Sequence, residues 1–316
     1  MVIRCPVLDV VLDPFTRRDL TGLGLSRHEL DALLSTGQVV QPVRGLYLDA
    51  RRADDGDHRA RGLGLLLRDG WAAGRTTAAW VHGIDVRTPG RHTAPLPLVV
   101  VVPRGTTPPR RAGVVAFAEP LADHDVVVVR GTPVTTPERT ALDLARWAPP
   151  FLGLGALDAF AHAGLVEVDR LELRLREWKG DRGVARARQL VGWCDPRTES
   201  QGESWFRLRL LEAGFPRPRV QVSLGYELVD GSWLEVFRLD LGWDDLRLAG
   251  EYDGEDHHTE QADRDADDAR RERVEREFGW RVVPVRKGAV LGRSLDLERG
   301  FGELLGLEPR TRERRW

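Results

Sequence analysis

The sequence predicts a mixed α/β chain, α+β overall, built as three consecutive parts. Three observations carry that expectation. A capping-box helix followed by a short hairpin stands near the N-terminus, valine-rich runs alternate with helical stretches in the middle, and an α-β-β-β-α-β pattern follows residue 200. With 316 residues, 41% of them hydrophobic and 30% charged, the chain can fill two or three cores at about 100–200 residues each. The parts are expected at 1–52, 53–193 and 194–316.

The first part reads as helix, turn, helix, hairpin. Thr16 can cap a first helix that Gly22 and Gly24 end. Ser26-Arg27-His28-Glu29 is a capping box, with Leu30, Leu33 and Leu34 on one face behind it and Gly37 to stop the helix. Val39-Val40 and Leu46-Tyr47-Leu48 flank an Arg44-Gly45 turn, which makes a two-stranded wing. This is the outline of a small winged helix-turn-helix.

The middle part predicts helices over 57–68 and 76–82, then strands over 96–102, 114–118 and 126–129. Thr135-Thr136-Pro137-Glu138 starts a helix over 139–146, and helices over 152–162, 169–178 and 184–191 finish the region. Cys194-Asp195-Pro196-Arg197 marks the next boundary. Beyond it come a helix over 200–213, strands over 219–224, 235–241 and 246–252, a charged helix over 260–278 and a strand over 281–286.

Composition removes several classes of function. The net charge is −2, so phosphates can be gripped only by local basic faces. Two cysteines, Cys5 and Cys194, cannot build a disulfide framework or a cysteine zinc site, and fit a reducing compartment. No apolar run approaches the ~18 residues of a membrane span, and Asp9 and Asp13 interrupt any signal-peptide core, so a cytoplasmic protein is expected. Among 47 basic residues only Lys179 and Lys287 are lysines.

The chemistry candidates gather in the last part. Asp240 lies in a strand, and Glu251 and Asp253, two apart in the next, share a face. The intervening turn lets Asp240 approach Glu251. Converging acids repel unless a cation sits between them, and Mg²⁺ or Mn²⁺ takes one or two such carboxylates and activates water for phosphodiester hydrolysis. Three of the acids also suit plain structural roles. Asp240 can be a hydrogen-bonded strand residue, Asp253-Gly254 an ordinary turn, and Glu203 the closing member of a Ser200 capping box. His257 and His258 can bind phosphate or metal, or transfer protons, or be solvated loop residues. Arg270 and Arg271 share their helix with Asp and Glu at ion-pair spacing, which describes a solvated face as well as a phosphate contact.

Arg238-Leu239-Asp240-Leu241, Gly250-Glu251-Tyr252-Asp253-Gly254 with His257-His258, and Phe278-Gly279-Trp280-Arg281-Val282-Val283 together resemble the very-short-patch-repair-like domain of the PD-(D/E)XK superfamily, with its restriction-endonuclease-like core. The resemblance covers about ninety residues. It implies Asp240 and Glu251 as metal ligands, Glu203 as the acid from the first helix, and one of His257 and His258 as the histidine after the glycine. The sequence departs from the pattern at Asp253, where the superfamily usually has lysine. Lys287, or an arginine from the helix such as Arg270 or Arg271, is then the substitute cation.

The N-terminal half is similar to AbiEi-type abortive-infection antitoxins, on Phe15-Thr16-Arg17, Arg44-Gly45-Leu46-Tyr47, Thr77-Ala78-Ala79-Trp80-Val81-His82-Gly83 and Val134–Asp143. Such proteins are transcriptional autoregulators, and the similarity implies that Ser26, Arg27 and His28 start a recognition helix, with Arg44 in the wing. Two functions follow. One is a double-stranded-DNA-binding protein with a Mg²⁺- or Mn²⁺-dependent endonuclease domain acting in repair or defence. The other is an antitoxin-like regulator, partnered by a toxin, whose nuclease fold is inactive.

Overall fold

A computed structural model of the chain describes residues 12–87, 95–108, 110, 113–254 and 261–314. They fall into two compact units, Met1–Leu144 and Ala145–Trp316. The described residues form a mixed α/β protein of eleven α-helices and three sheets, as the sequence predicts.

In the first unit, α1 (Arg27–Ser35) carries the expected capping box. Ser26 Oγ accepts from the Glu29 N–H at 3.1 Å, and Glu29 Oε2 accepts from the Ser26 N–H at 2.7 Å. Leu30 and Leu33 bury themselves against Phe15, Leu20, Val39 and Tyr47. β1 (Val39–Val43) and β2 (Leu46–Asp49) pair antiparallel as the wing. The helix expected from Thr16 is absent. The Asp19 carboxylate takes both the N–H and the hydroxyl of Thr16, and residues 17–24 make successive turns ending at Gly24, whose φ is +68°. So short a stretch between a cap and two glycines cannot offset the cost of nucleating a helix.

Then follow α2 (Gly56–Gly64), β3 (Ala72–Ala73), α3 (Arg75–Val81), β4 (Leu98–Pro103), β5 (Val114–Glu119), β6 (Val126–Val129), β7 (Thr132–Thr135) and α4 (Pro137–Trp147). The strands form one sheet in the order β5-β4-β3-β7-β6, with parallel and antiparallel neighbours. Arg139 on α4 is only 2% exposed and donates to Asp143 at 2.8 Å, Asp125 at 2.9 Å and Glu119 at 3.0 Å. A buried charge therefore ties the helix to β5 and to the turn before β6.

The second unit holds α5 (Pro150–His162), α6 (Val168–Glu177), α7 (Val184–Trp193), α8 (Gln201–Glu212), β8 (Arg219–Glu227), β9 (Trp233–Trp243), β10 (Leu248–Asp253), α9 (Gln261–Phe278), β11 (Arg281–Arg286), α10 (Lys287–Leu291) and α11 (Asp296–Leu305). From α8 to β11 the order is the expected αβββαβ. The sheet runs β11-β10-β9-β8, parallel between β10 and β11 and antiparallel elsewhere. One side packs Val220, Leu241 and Val285 with Phe206 and Leu210 of α8 and Phe301 of α11; the other packs Val222, Leu239 and Ala249 with Val274 of α9 and Trp280. The expected boundary at Cys194 lies inside this unit. Asp158 of α5, buried, accepts from Arg207 of α8 at 2.5 Å and from the Asp195 N–H at 2.9 Å.

Two glycines set how closely α8 meets the sheet. A Cβ on Gly250 would come 2.6 Å from Phe206, and one on Gly202 would overlap the Tyr252 ring. Gly202→Ala should therefore cost about 1–3 kcal/mol, read as a lower urea midpoint at unchanged slope. Gly300→Ala, where an added Cβ meets nothing within 4 Å on helix α11, should instead gain about 0.5–1 kcal/mol. Equal effects at the two positions would show that close packing of α8 is not the constraint.

Candidate functional site

Five elements of the second unit each send one polar side chain to a common point. They are Glu203 from α8, Gln221 from β8, Asp240 from β9, Glu251 from β10 and Arg270 from α9. Glu203 stands where the Ser200 capping box predicts, with its N–H donating to Ser200 Oγ at 3.2 Å. Its carboxylate accepts from the Glu199 N–H at 3.2 Å and from Gln221 Nε2 at 2.9 Å. Burial raises its carboxyl above the usual range, against those hydrogen bonds.

Gln221 has φ +54°, a left-handed conformation uncommon for a residue with a side chain. The register pairs Val220 with Leu241 and Val222 with Leu239, so Gln221 lies across from Asp240. Val220 and Leu241 belong to the core beside α8, whereas Val222 and Leu239 belong to the core beside α9. Strand alternation thus breaks at this pair of residues, and the break aims the Gln221 amide at Glu203. Backbone strain of this kind costs about 1–3 kcal/mol and gathers at functional sites. The sequence held no signal of it: a glutamine between two valines is ordinary in a strand.

The β9–β10 ladder ends at the pair Leu241–Gly250. Just past it, Asp240 Oδ2 accepts the Tyr252 N–H at 2.7 Å, so the aspartate closes the gap that the splaying strands leave. Its carboxyl is pushed up to about 7, first by burial and next by the negative charge of Glu203. The Tyr252 N–H and Arg270 pull it down, and Glu251 pushes it further up. Asp240 thus feels the negative charge of both Glu203 and Glu251.

Glu251 is not left open. Arg270 Nη1 donates to both of its carboxylate oxygens, at 2.7 and 2.9 Å, while Nη2 donates to the Arg238 carbonyl at 2.9 Å. A guanidinium therefore stands where a cation shared by these acids would neutralise Glu251. The oxygen donors are of the kind Mg²⁺ and Mn²⁺ prefer, but with Arg270 in place the set does not fit a resident divalent ion. Among the described residues no three His, Cys, Asp or Glu side chains come together in an arrangement that could hold a metal.

Asp253, half-buried at the end of β10, pairs in register with Arg286. Lys287 is the next residue, the first of α10, at the same end of the sheet. Arg271 pairs with Asp268 of its own helix at 2.7 Å. His257 and His258 lie outside the described residues. In the first unit Arg27, His28 and Arg44 are exposed, and Ser26 is occupied by its capping role.

A match to a known family falls on the region between these two groups. Residues 72–193 match the family described as the AbiEi antitoxin C-terminal domain. Two uncharacterized proteins from Mycobacterium tuberculosis, of strains CDC 1551 and H37Rv, are each 28% identical over 296 residues, covering 88% of this chain and 100% of the relative. The matched family segment includes β3–β7, the Arg139 network and α5–α7, and ends before the αβββαβ elements.

The raised Asp240 carboxyl has a measurable consequence. It binds its proton more tightly folded than unfolded, where 3.8 is the ordinary value, so its stabilising contribution is complete below about pH 4 and is lost as pH rises through about 7. Asp240→Asn keeps an acceptor for Tyr252 and removes the ionisation. It should melt above the parent at pH 8, with the gap closing towards pH 4. A gap that does not vary with pH would refute the raised carboxyl.

Proposed function

We propose that the chain is an AbiEi-like DNA-binding regulator whose C-terminal acid cluster is a structural ion-pair centre, with Arg270 held on Glu251, rather than a hydrolytic one. The observation that carries the second clause is the contact of Arg270 with both oxygens of Glu251. A metal-dependent phosphodiesterase needs that carboxylate free. The first clause is supported by the match at residues 72–193 and by the capped helix and wing that precede it. In this reading Ser26, Arg27 and His28 at the start of α1, with Arg44 in the wing, face double-stranded DNA. A cognate toxin is the protein partner that the similarity to antitoxins brings with it.

One observation favours a second reading, a Mg²⁺- or Mn²⁺-dependent endonuclease. The negative charges of Glu203 and Glu251 both act on Asp240, and a binding domain gains nothing from clustered negative charge near phosphate. For this reading Arg270 must leave Glu251 when DNA arrives, and Arg270, Arg271 or Lys287 must meet the phosphate in place of the superfamily's lysine. His257 or His258 would assist proton transfer.

Supercoiled plasmid separates the two. With Mg²⁺ or Mn²⁺ present, the parent and an Asp240→Ala/Glu251→Ala variant should leave it equally intact, while a reporter driven by the promoter of the chain's own gene is repressed by both. Nicking by the parent that the double variant loses would establish the endonuclease instead. An unrepressed reporter would remove the regulator.

A further inference from the structure

We infer that Arg17, Arg18 and Arg44 form a backbone-phosphate clamp for duplex DNA, and that this hollow, rather than α1, supplies most of the electrostatic affinity. The inference rests on the DNA-binding reading above and adds a site to it. The three arginines line one hollow of about 260 Å³ in the first unit, whose floor is Leu65, Leu66 and Leu98. Among the described residues no carboxylate lines it.

Arg17 and Arg44 are each held by a neighbour that is itself fixed, and Arg18 is carried on the same turn as Arg17. Phe15, 2% exposed, exchanges backbone hydrogen bonds with Tyr47 at 3.1 and 2.9 Å, and Leu20 is buried in the same cluster, so the turn carrying Arg17 and Arg18 is pinned at both ends. Arg17 Nε donates to the Tyr47 hydroxyl at 2.9 Å, which orients its guanidinium. The acid nearest in sequence, Asp19, is consumed by Thr16, whose N–H and hydroxyl donate to it at 2.7 and 2.8 Å. Arg44 is held by its own N–H, which donates to the Leu96 carbonyl at 3.0 Å, and its stem lies over Gly113, where a Cβ would stand 3.1 Å from Arg44 Cγ. None of the three has a carboxylate partner among the described residues.

Charge balance makes the hollow unusual. The chain as a whole is at −2, and many of its arginines are answered by an aspartate or glutamate. Three arginines lining one partly apolar hollow focus a positive potential, and their planar forks match phosphate oxygens. α1 offers less, because exposed Arg27 and His28 share it with Glu29 and Asp31. α1 is thereby left to touch bases and the hollow to grip the backbone.

The test uses the full chain and a fluorescein-labelled duplex of arbitrary sequence, about 20 base pairs long, with anisotropy titrations across a range of KCl. Arg17→Gln/Arg18→Gln/Arg44→Gln should weaken binding at least about tenfold near 0.1 M salt and flatten the log–log salt slope by about 2–3. The triple lysine variant should keep the parent slope. Arg27→Ala/His28→Ala should change the slope by about 1 or less. Melting curves check that all variants fold. A glutamine variant that binds with the parent's affinity and slope overturns the clamp and leaves the regulator standing. A parent that binds no duplex removes the regulator reading and the clamp with it.

Discussion

A guanidinium taken out of water must find carboxylates or carbonyls, and much of this chain is organised around that requirement. Arg139, Arg207 and Arg209 are each at most 2% exposed. Arg139 meets three carboxylates, Arg207 meets Asp158, and Arg209 meets Glu298 at 2.7 Å together with carbonyls of α10 and the turn after it. Removing one partner of such a pair strands a buried charge, at a cost of about 3–5 kcal/mol. These pairs join segments far apart in sequence: α4 to β5, α5 to α8, and α8 to α11.

The acid cluster obeys the same rule. Three carboxylates converge at the kinked end of the second sheet, and Arg270 is the cation the chain itself brings to them. The cluster is incompletely neutralised, since Asp240 keeps a raised carboxyl with Arg270 nearby. The bond from Arg270 holds both oxygens of Glu251 and leaves Asp240 to its burial and its acidic neighbours.

Local signals in the sequence were legible wherever a short stretch decided its own structure. The Ser26–Glu29 capping box, the Thr136-Pro137-Glu138 helix start and the αβββαβ order all follow from cap chemistry and apolar period. β3 and β7 were not legible, because Ala72-Ala73 has no strand pattern and β7 contains Pro133; both exist by pairing with distant partners. α10 and α11 lay beyond the motif region, yet α11 supplies Glu298 and Phe301 to the core. Asp240, Glu251 and Glu203 could be singled out from sequence; Gln221 could not, since only the strand kink shows it. The arginines were the largest loss. On a helix the spacing of Arg139 or Arg207 to nearby acids is indistinguishable from a solvated face, and burial alone tells them apart.

The near absence of lysine gives those interior ties a one-sided character. An ammonium group can shed its proton when alkali is added, but a guanidinium cannot within any range a protein survives. The links from α5 to α8 and from α8 to α11 are thus insensitive to base. Reagents that cap amines would find nothing to disturb there, because neither of the two lysines takes part.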